Sequence, residues 1–144
     1  MDALVANDVL AACIVAWAVA QFSKPLIHYV HTRRFNLRFF VSAGGMPSSH
    51  SAVVVALATR IGVDTGLSSV PFALAAVFAA VVMYDAAGVR RAVSLQARVL
   101  NRMLTEMIEM QHFSESRLRE LIGHTPFEVF VGALLGVLSA ISVR

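Results

Sequence analysis

Two histidines stand where apolar helices are about to begin. His50 closes the run Gly44-Gly45-Met46-Pro47-Ser48-Ser49-His50, and His124 lies in Gly123-His124-Thr125-Pro126-Phe127-Glu128. A helix start presents N–H groups with no intrahelical acceptor and the positive end of a macrodipole, which together favour an anion. Phosphate suits two such starts, each furnished with an imidazole. The same positive end disfavours an imidazolium, so each ring tends to the neutral, nucleophilic form until a phosphate dianion draws a proton onto it. One ring can then act as nucleophile and the other as acid, and cations around the equatorial oxygens complete the needs of phosphoryl transfer. Glu128 follows His124 by four residues, so one helical turn can bring its carboxylate to the imidazole. A capping box opened by Thr125 competes for that carboxylate. The bland alternative for each histidine is a local cap or interface residue.

Helices must carry these groups to one place. The 144 residues are 58% hydrophobic and 15% charged, with a mean hydropathy of +0.71, too apolar for an ordinary soluble domain of this size. Four stretches approach the roughly 20 apolar residues of a bilayer span: Leu4 to Phe22, His50 to Leu67, Val70 to Ala87 and Phe127 to Val143. The expected fold is all-α, a single domain over residues 1–144. It is an integral membrane helical bundle of about four transmembrane helices plus amphipathic interfacial helices. The first stretch begins with Asp2 and Asp8 and has no basic n-region, so it reads as a retained helix and not as a signal peptide. The single Cys13 lies inside it and builds neither a disulfide framework nor a cysteine metal site.

Local signals refine this plan. Lys24-Pro25 is expected to break or kink the first helix, and the run from His28 to Phe40 mixes basic and aromatic residues in the manner of a membrane interface. Gly44-Gly45 permits backbone shapes closed to other residues, and Ser48 or Ser49 can cap the next helix, which puts His50 in its first turn. Arg60 falls roughly 15 Å deeper along that helix and is expected to snorkel toward the outer face, a buried partner being the alternative. Asp85 is expected to pair with Arg90 or Arg91. Apolar residues recur at three- and four-residue steps from Ala92 to Met110, marking an amphipathic helix, and a short helix opens near Ser114 and ends at Gly123. Small residues at four-residue spacing (Ala12, Ala16, Ala20; Gly132, Gly136) allow close helix approach, within one chain or across a homodimer.

Charge supplies orientation and exclusions. Ten of the twelve basic residues fall in two connections: Lys24, Arg33, Arg34 and Arg38 before His50, and Arg90, Arg91, Arg98, Arg102, Arg117 and Arg119 before Thr125. The positive-inside bias puts both connections, and the histidines with them, on the cytoplasmic side. A net charge of +3 is then explained by a basic rim at an anionic leaflet, with no nucleic acid needed. His28, His31 and His112 have no carboxylate or cysteine cluster around them, so neither metal nor cofactor is expected. The spans lack the paired polar residues of a transporter's midplane pathway, Arg60 apart.

Three separated segments, Gly44 to Ala52, Met83-Tyr84-Asp85-Ala86-Ala87-Gly88-Val89-Arg90-Arg91 and Leu121-Ile122-Gly123-His124-Thr125-Pro126, resemble the divergent branch of the type-2 phosphatidic acid phosphatase superfamily. That branch is also described as acid phosphatase and vanadium-dependent haloperoxidase related. The resemblance runs from about Gln21 to Gly136. The superfamily pattern is a lysine followed by an arginine, then Pro-Ser-Gly-His, then Ser-Arg and a histidine with an aspartate four residues later. Lys24 is similar to the first lysine; the usual spacing to its arginine lands on His31, which leaves Arg33 or Arg34 for that part. Pro47-Ser48-Ser49-His50 matches the second motif with serine in place of glycine, and implies His50 as the acid for the leaving group. His124 and Glu128 are similar to the nucleophile and its orienting carboxylate, with glutamate for aspartate. Ser116-Arg117 stands one residue further from His124 than usual, so Arg117, Arg119 or the Arg90-Arg91 pair is the candidate oxygen-binding arginine.

The resemblance implies a metal-independent phosphatase of a bacterial-type plasma membrane. It would act on a membrane lipid phosphate, such as phosphatidic acid, phosphatidylglycerophosphate or polyprenyl pyrophosphate, through a phosphohistidine on His124. Lys24, Arg33, Arg34, Ser48, Ser49, Arg90, Arg91, Arg117 and Arg119 are the candidate phosphate-binding residues. The competing reading is a non-catalytic lipid-binding or assembly module that keeps the phosphate site without turnover.

Overall fold

The structure, a computed structural model, describes residues 7–34, 37, 40, 44–110 and 123–143, with the backbone alone at 89–91, 94, 106 and 108–110. The described residues form five helices: α1 (Asp8–Thr32), α2 (Ser49–Thr65), α3 (Val70–Ala87), α4 (Val89–Met110) and α5 (Pro126–Ser142). Among the described residues there is no strand. The short helix expected near Ser114, with Arg117, Arg119 and His112, lies outside the described residues.

Each apolar run becomes a helix because a short polar side chain satisfies its first N–H groups. Asn7 accepts from the Leu10 N–H, Ser48 from Ser51, Ser69 from Phe72 and Thr125 from Glu128. Ser48, not Ser49, is therefore the cap of α2. Gly45 before it has φ +88°, a left-handed conformation that glycine adopts without a Cβ penalty. Pro25 does not end α1, contrary to the expected break; the helix continues to Thr32 and closes on left-handed Arg33, whose N–H donates to the Tyr29 carbonyl. Proline costs one N–H there, and burial of Gln21, Lys24 and Pro25 against the bundle holds the flanking turns in place. α4 begins at Val89, one residue past Gly88, earlier than the apolar periodicity alone indicated.

The bundle is centred on α2, which packs against α1, α3 and α5. Its interior is built from small side chains. Ala12, Ala16 and Ala20 of α1 meet Ala52 and Ala56 of α2 and Ala140 of α5, all fully buried. A second cluster joins Val54 and Ala58 to Ala75 and Ala79 of α3. A Cβ placed on Gly132 would lie 2.4 Å from the Ser48 carbonyl oxygen, and one on Gly136 the same distance from that of Ala52, so α5 rests directly on the α2 backbone. Large apolar side chains point outward instead, among them Trp17, Phe22, Leu26, Leu74, Phe78, Phe130, Leu134 and Leu138. In lipid there is no hydrophobic gain from burying them, and close packing of small residues holds helices together.

Helices α1 and α3 are each long and apolar enough to cross a bilayer. α5 is apolar but has 17 residues, about 26 Å at 1.5 Å per residue against a hydrocarbon core of about 30 Å. α2 also has 17 residues and carries Arg60 and Asp64 near its end, where each has a charged partner. Arg60 does not snorkel alone. Its Nη2 donates to Asp8 Oδ2 (2.9 Å), its Nη1 to the Val143 carbonyl (2.6 Å) and its Nε to Asp64 Oδ2 (3.2 Å). The start of α1 and the ends of α2 and α5 are thus buckled together, and the starts of α2 and α5 lie at the other end of the bundle.

Candidate active site

The far end is where the chemistry-bearing residues gather. The N–H of Ser48, the cap of α2, donates to the Glu128 carbonyl in the first turn of α5 (3.1 Å), and Gly132 one turn later leaves room for that approach. Two helix starts are locked side by side as a result. His50, in the first turn of α2, and His124, just before the cap of α5, stand with ring centroids 6.0 Å apart at an interplanar angle of 63°. His124 is 1% exposed, and both its Nε2 and the Nδ1 of His50 are shielded from solvent.

Glu128 resolves the competition seen in the sequence by serving both roles with one oxygen. Its Oε2 accepts from the Thr125 N–H (3.0 Å) in a complete capping box and lies 3.2 Å from His124 Nδ1. An ionised carboxylate can only accept, so in the neutral ring this bond places the proton on Nδ1 and the lone pair on Nε2, the tautomer a nucleophile needs. The carboxylate also faces any imidazolium that forms when Nε2 bonds to phosphorus.

Lys24 enters from α1. Its side chain is 2% exposed, and Nζ donates to Gln21 Oε1 (3.0 Å) and to Ser49 Oγ (3.3 Å) on the first turn of α2. Ser49 adjoins His50 in that turn, so the ammonium meets the same helix start that carries the first histidine. Ser48 Oγ accepts from both the N–H (3.3 Å) and the hydroxyl (3.0 Å) of Ser51, so its cap is itself braced. A buried ammonium, two helix starts and two imidazoles, set against the Glu128 carboxylate, are the kinds of group that can together accept an anion.

The remaining candidates divide. Ser48 and Ser49 belong to the cluster, both buried. Arg33 and Arg34 do not: they are exposed at the end of α1, their backbones occupied in closing that helix. Nine residues beyond Lys24 is about 14 Å along a helix axis, too far for the same face to serve both. Arg90 and Arg91 lie in the first turn of α4, with only their backbone described, and Arg117 and Arg119 lie outside the described residues. Among the described residues no group of three or more histidine, cysteine, aspartate or glutamate side chains could hold a metal ion. Sequence reasoning missed Gln21 and Ser51. Gln21 carried a usable signal: a polar residue inside an apolar span, three positions before the lysine and hence on its face.

With this geometry in hand, the chain is matched by a family model described as the Divergent PAP2 family over residues 5–139. It is 39% identical over 146 residues to the "Uncharacterized membrane protein YuiD" of Bacillus subtilis (strain 168), an alignment covering 94% of this chain and 92% of that protein. No solved structure matches it.

Proposed function

Because the chain belongs to the Divergent PAP2 family, we propose that it is a membrane phosphatase that hydrolyses the phosphomonoester or pyrophosphate of a lipid at the bilayer surface. The single observation that carries this reading is the histidine pair, 6.0 Å between ring centroids, with Glu128 on Nδ1 of His124. A phosphorus approached by one ring at about 3–3.5 Å can offer its leaving oxygen to the other.

In the proposed reaction His124 Nε2 attacks phosphorus, the bond to the lipid oxygen breaks, and His50 gives that oxygen its proton. A water then attacks the phosphohistidine and passes a proton to His50; the P–N bond breaks and phosphate leaves. Lys24 and the N–H groups at the start of α2 balance the charge on the equatorial oxygens in both steps. Glu128 supports the imidazolium between them. The relative's name as a membrane protein supports an integral membrane location, and the positive-inside bias favours a cytoplasmic site. Phosphatidic acid, phosphatidylglycerophosphate and polyprenyl pyrophosphate all meet these requirements.

The test is phosphate release by the purified full-length protein in lipid nanodiscs from a panel of phospholipid and isoprenoid phosphates. Vanadate and chelator serve as controls. Turnover by the unaltered protein is expected for at least one of them, blocked by vanadate and indifferent to chelator, and lost to background in His124→Ala. Vanadate binding without turnover on any substrate favours the non-catalytic module, and full activity of His124→Ala removes the nucleophile assignment.

A further inference from the structure

We propose that Gln21 is the positioning residue for the phosphate-binding lysine, holding the Lys24 ammonium beside Ser49 at the start of α2 without adding a negative charge there; this rests on the phosphatase reading above. Gln21 and Lys24 are three residues apart on α1 and both are buried, at 7% and 2% exposure. The Gln21 amide joins two different parts of the chain. Its Oε1 accepts from Lys24 Nζ at 3.0 Å, and its Nε2 donates to the Phe40 carbonyl at 2.7 Å. A lysine offers only donors and a backbone carbonyl only accepts, so one amide orientation alone satisfies both partners.

A lysine head on a four-carbon stem has many rotamers, and a site that must grip phosphate gains from an ammonium already in place. An aspartate or glutamate would hold it as an ion pair, yet would quench its charge and repel the incoming anion. A neutral acceptor orients it without adding a negative charge to the site. The second arm ties this arrangement to Phe40, whose ring also meets that of Phe22 edge to face at 5.6 Å. Gln21 therefore sets the position of the lysine relative to Phe40 and, through Lys24, to Ser49 beside His50. It touches no reacting atom in this scheme and acts through Lys24.

A double-mutant cycle on the full-length protein in nanodiscs tests this, with Gln21→Met, Lys24→Met and the pair. The readouts are KM and vanadate inhibition on the best substrate of the panel, beside thermal unfolding. Gln21→Met is expected to raise KM and weaken vanadate inhibition by about tenfold or more, the scale of one hydrogen bond to a charged group. It should add nothing in the Lys24→Met background. Equal losses in both backgrounds, or no loss in either, overturn the role of Gln21 while leaving the phosphatase reading intact. An unaltered protein that neither turns over any substrate nor responds to vanadate overturns that reading first, and this one with it. If Gln21→Met does not fold, Gln21→Glu carries the test. It retains a partner for Lys24 but neutralises it, so vanadate inhibition should weaken; inhibition at the unaltered level overturns the proposal.

Discussion

At the residue scale, one carboxylate does two jobs that mutation can separate. Glu128 closes the capping box of α5 and orients His124 through the same Oε2. Glutamine fits a capping box as well as glutamate does, but brings no charge to stabilise an imidazolium. Glu128→Gln is therefore expected to lower kcat by up to about 10⁴-fold with little change in melting temperature. Thr125→Ala is the mirror case, removing the cap at about 1 kcal/mol of stability while leaving most of the turnover. Steady-state kinetics and thermal unfolding on the two variants check the pair, and parallel losses in both quantities for both would contradict the division. The His124–Glu128 contact was readable from the i,i+4 spacing. Spacing presents the cap and the histidine as rival uses of that carboxylate, because it cannot show that one oxygen reaches two donors.

At the element scale, the site exists because α5 lies directly on the start of α2. Gly132 faces the Ser48 carbonyl and Gly136 that of Ala52, and an added Cβ would sit 2.4 Å from either oxygen. Gly132→Ala is expected to push the helix starts apart and to cost about 1–3 kcal/mol as an overpacked contact. The loss of turnover should exceed that from Gly136→Ala, one turn further from His50. Unfolding measured beside activity decides this; equal effects at both positions would detach the helix contact from the site. The four-residue glycine spacing announced a close approach. What it approached was not readable, since every apolar span with small residues offers the same kind of groove. α4 is different in character, contacting α3 alone among the described elements. Val93, Leu100, Met103 and Met107 remain exposed on its apolar side, as befits a helix at the lipid boundary.

At the scale of the whole molecule, the bundle has a chemical end and a structural end. Arg60 fastens α1, α2 and the close of α5 at the end away from the histidines. Arg60→Gln leaves part of this buckle unmade, and a loss of about 1–3 kcal/mol is expected, with KM on the best substrate unchanged. A raised KM would mean that the buckle also shapes the site. Topology gives a separate check. On a Cys13→Ala background, cysteines at Arg34 and Ser69 should react with an impermeant maleimide from opposite faces of the membrane, Arg34 from the cytoplasmic one. Labelling of both from a single face would break the alternating arrangement of α1, α2 and α3.

Residues within a turn or two of one another settled what the sequence alone determined: apolar runs long enough for lipid, serine and threonine caps, histidines beside two helix starts, and a glutamate one turn after the second. Those features depend on period and capping, which a short window contains. Only the tertiary structure decided that Lys24 is buried beside Ser49 while Arg33 and Arg34 stay exposed, that Gln21 holds it, that α1 runs on through Pro25, and that Arg60 has partners on three elements. Each of these depends on the rotation and depth of one helix against another. That is set by small side chains meeting across the bundle, and no single stretch of sequence contains both sides of such a contact.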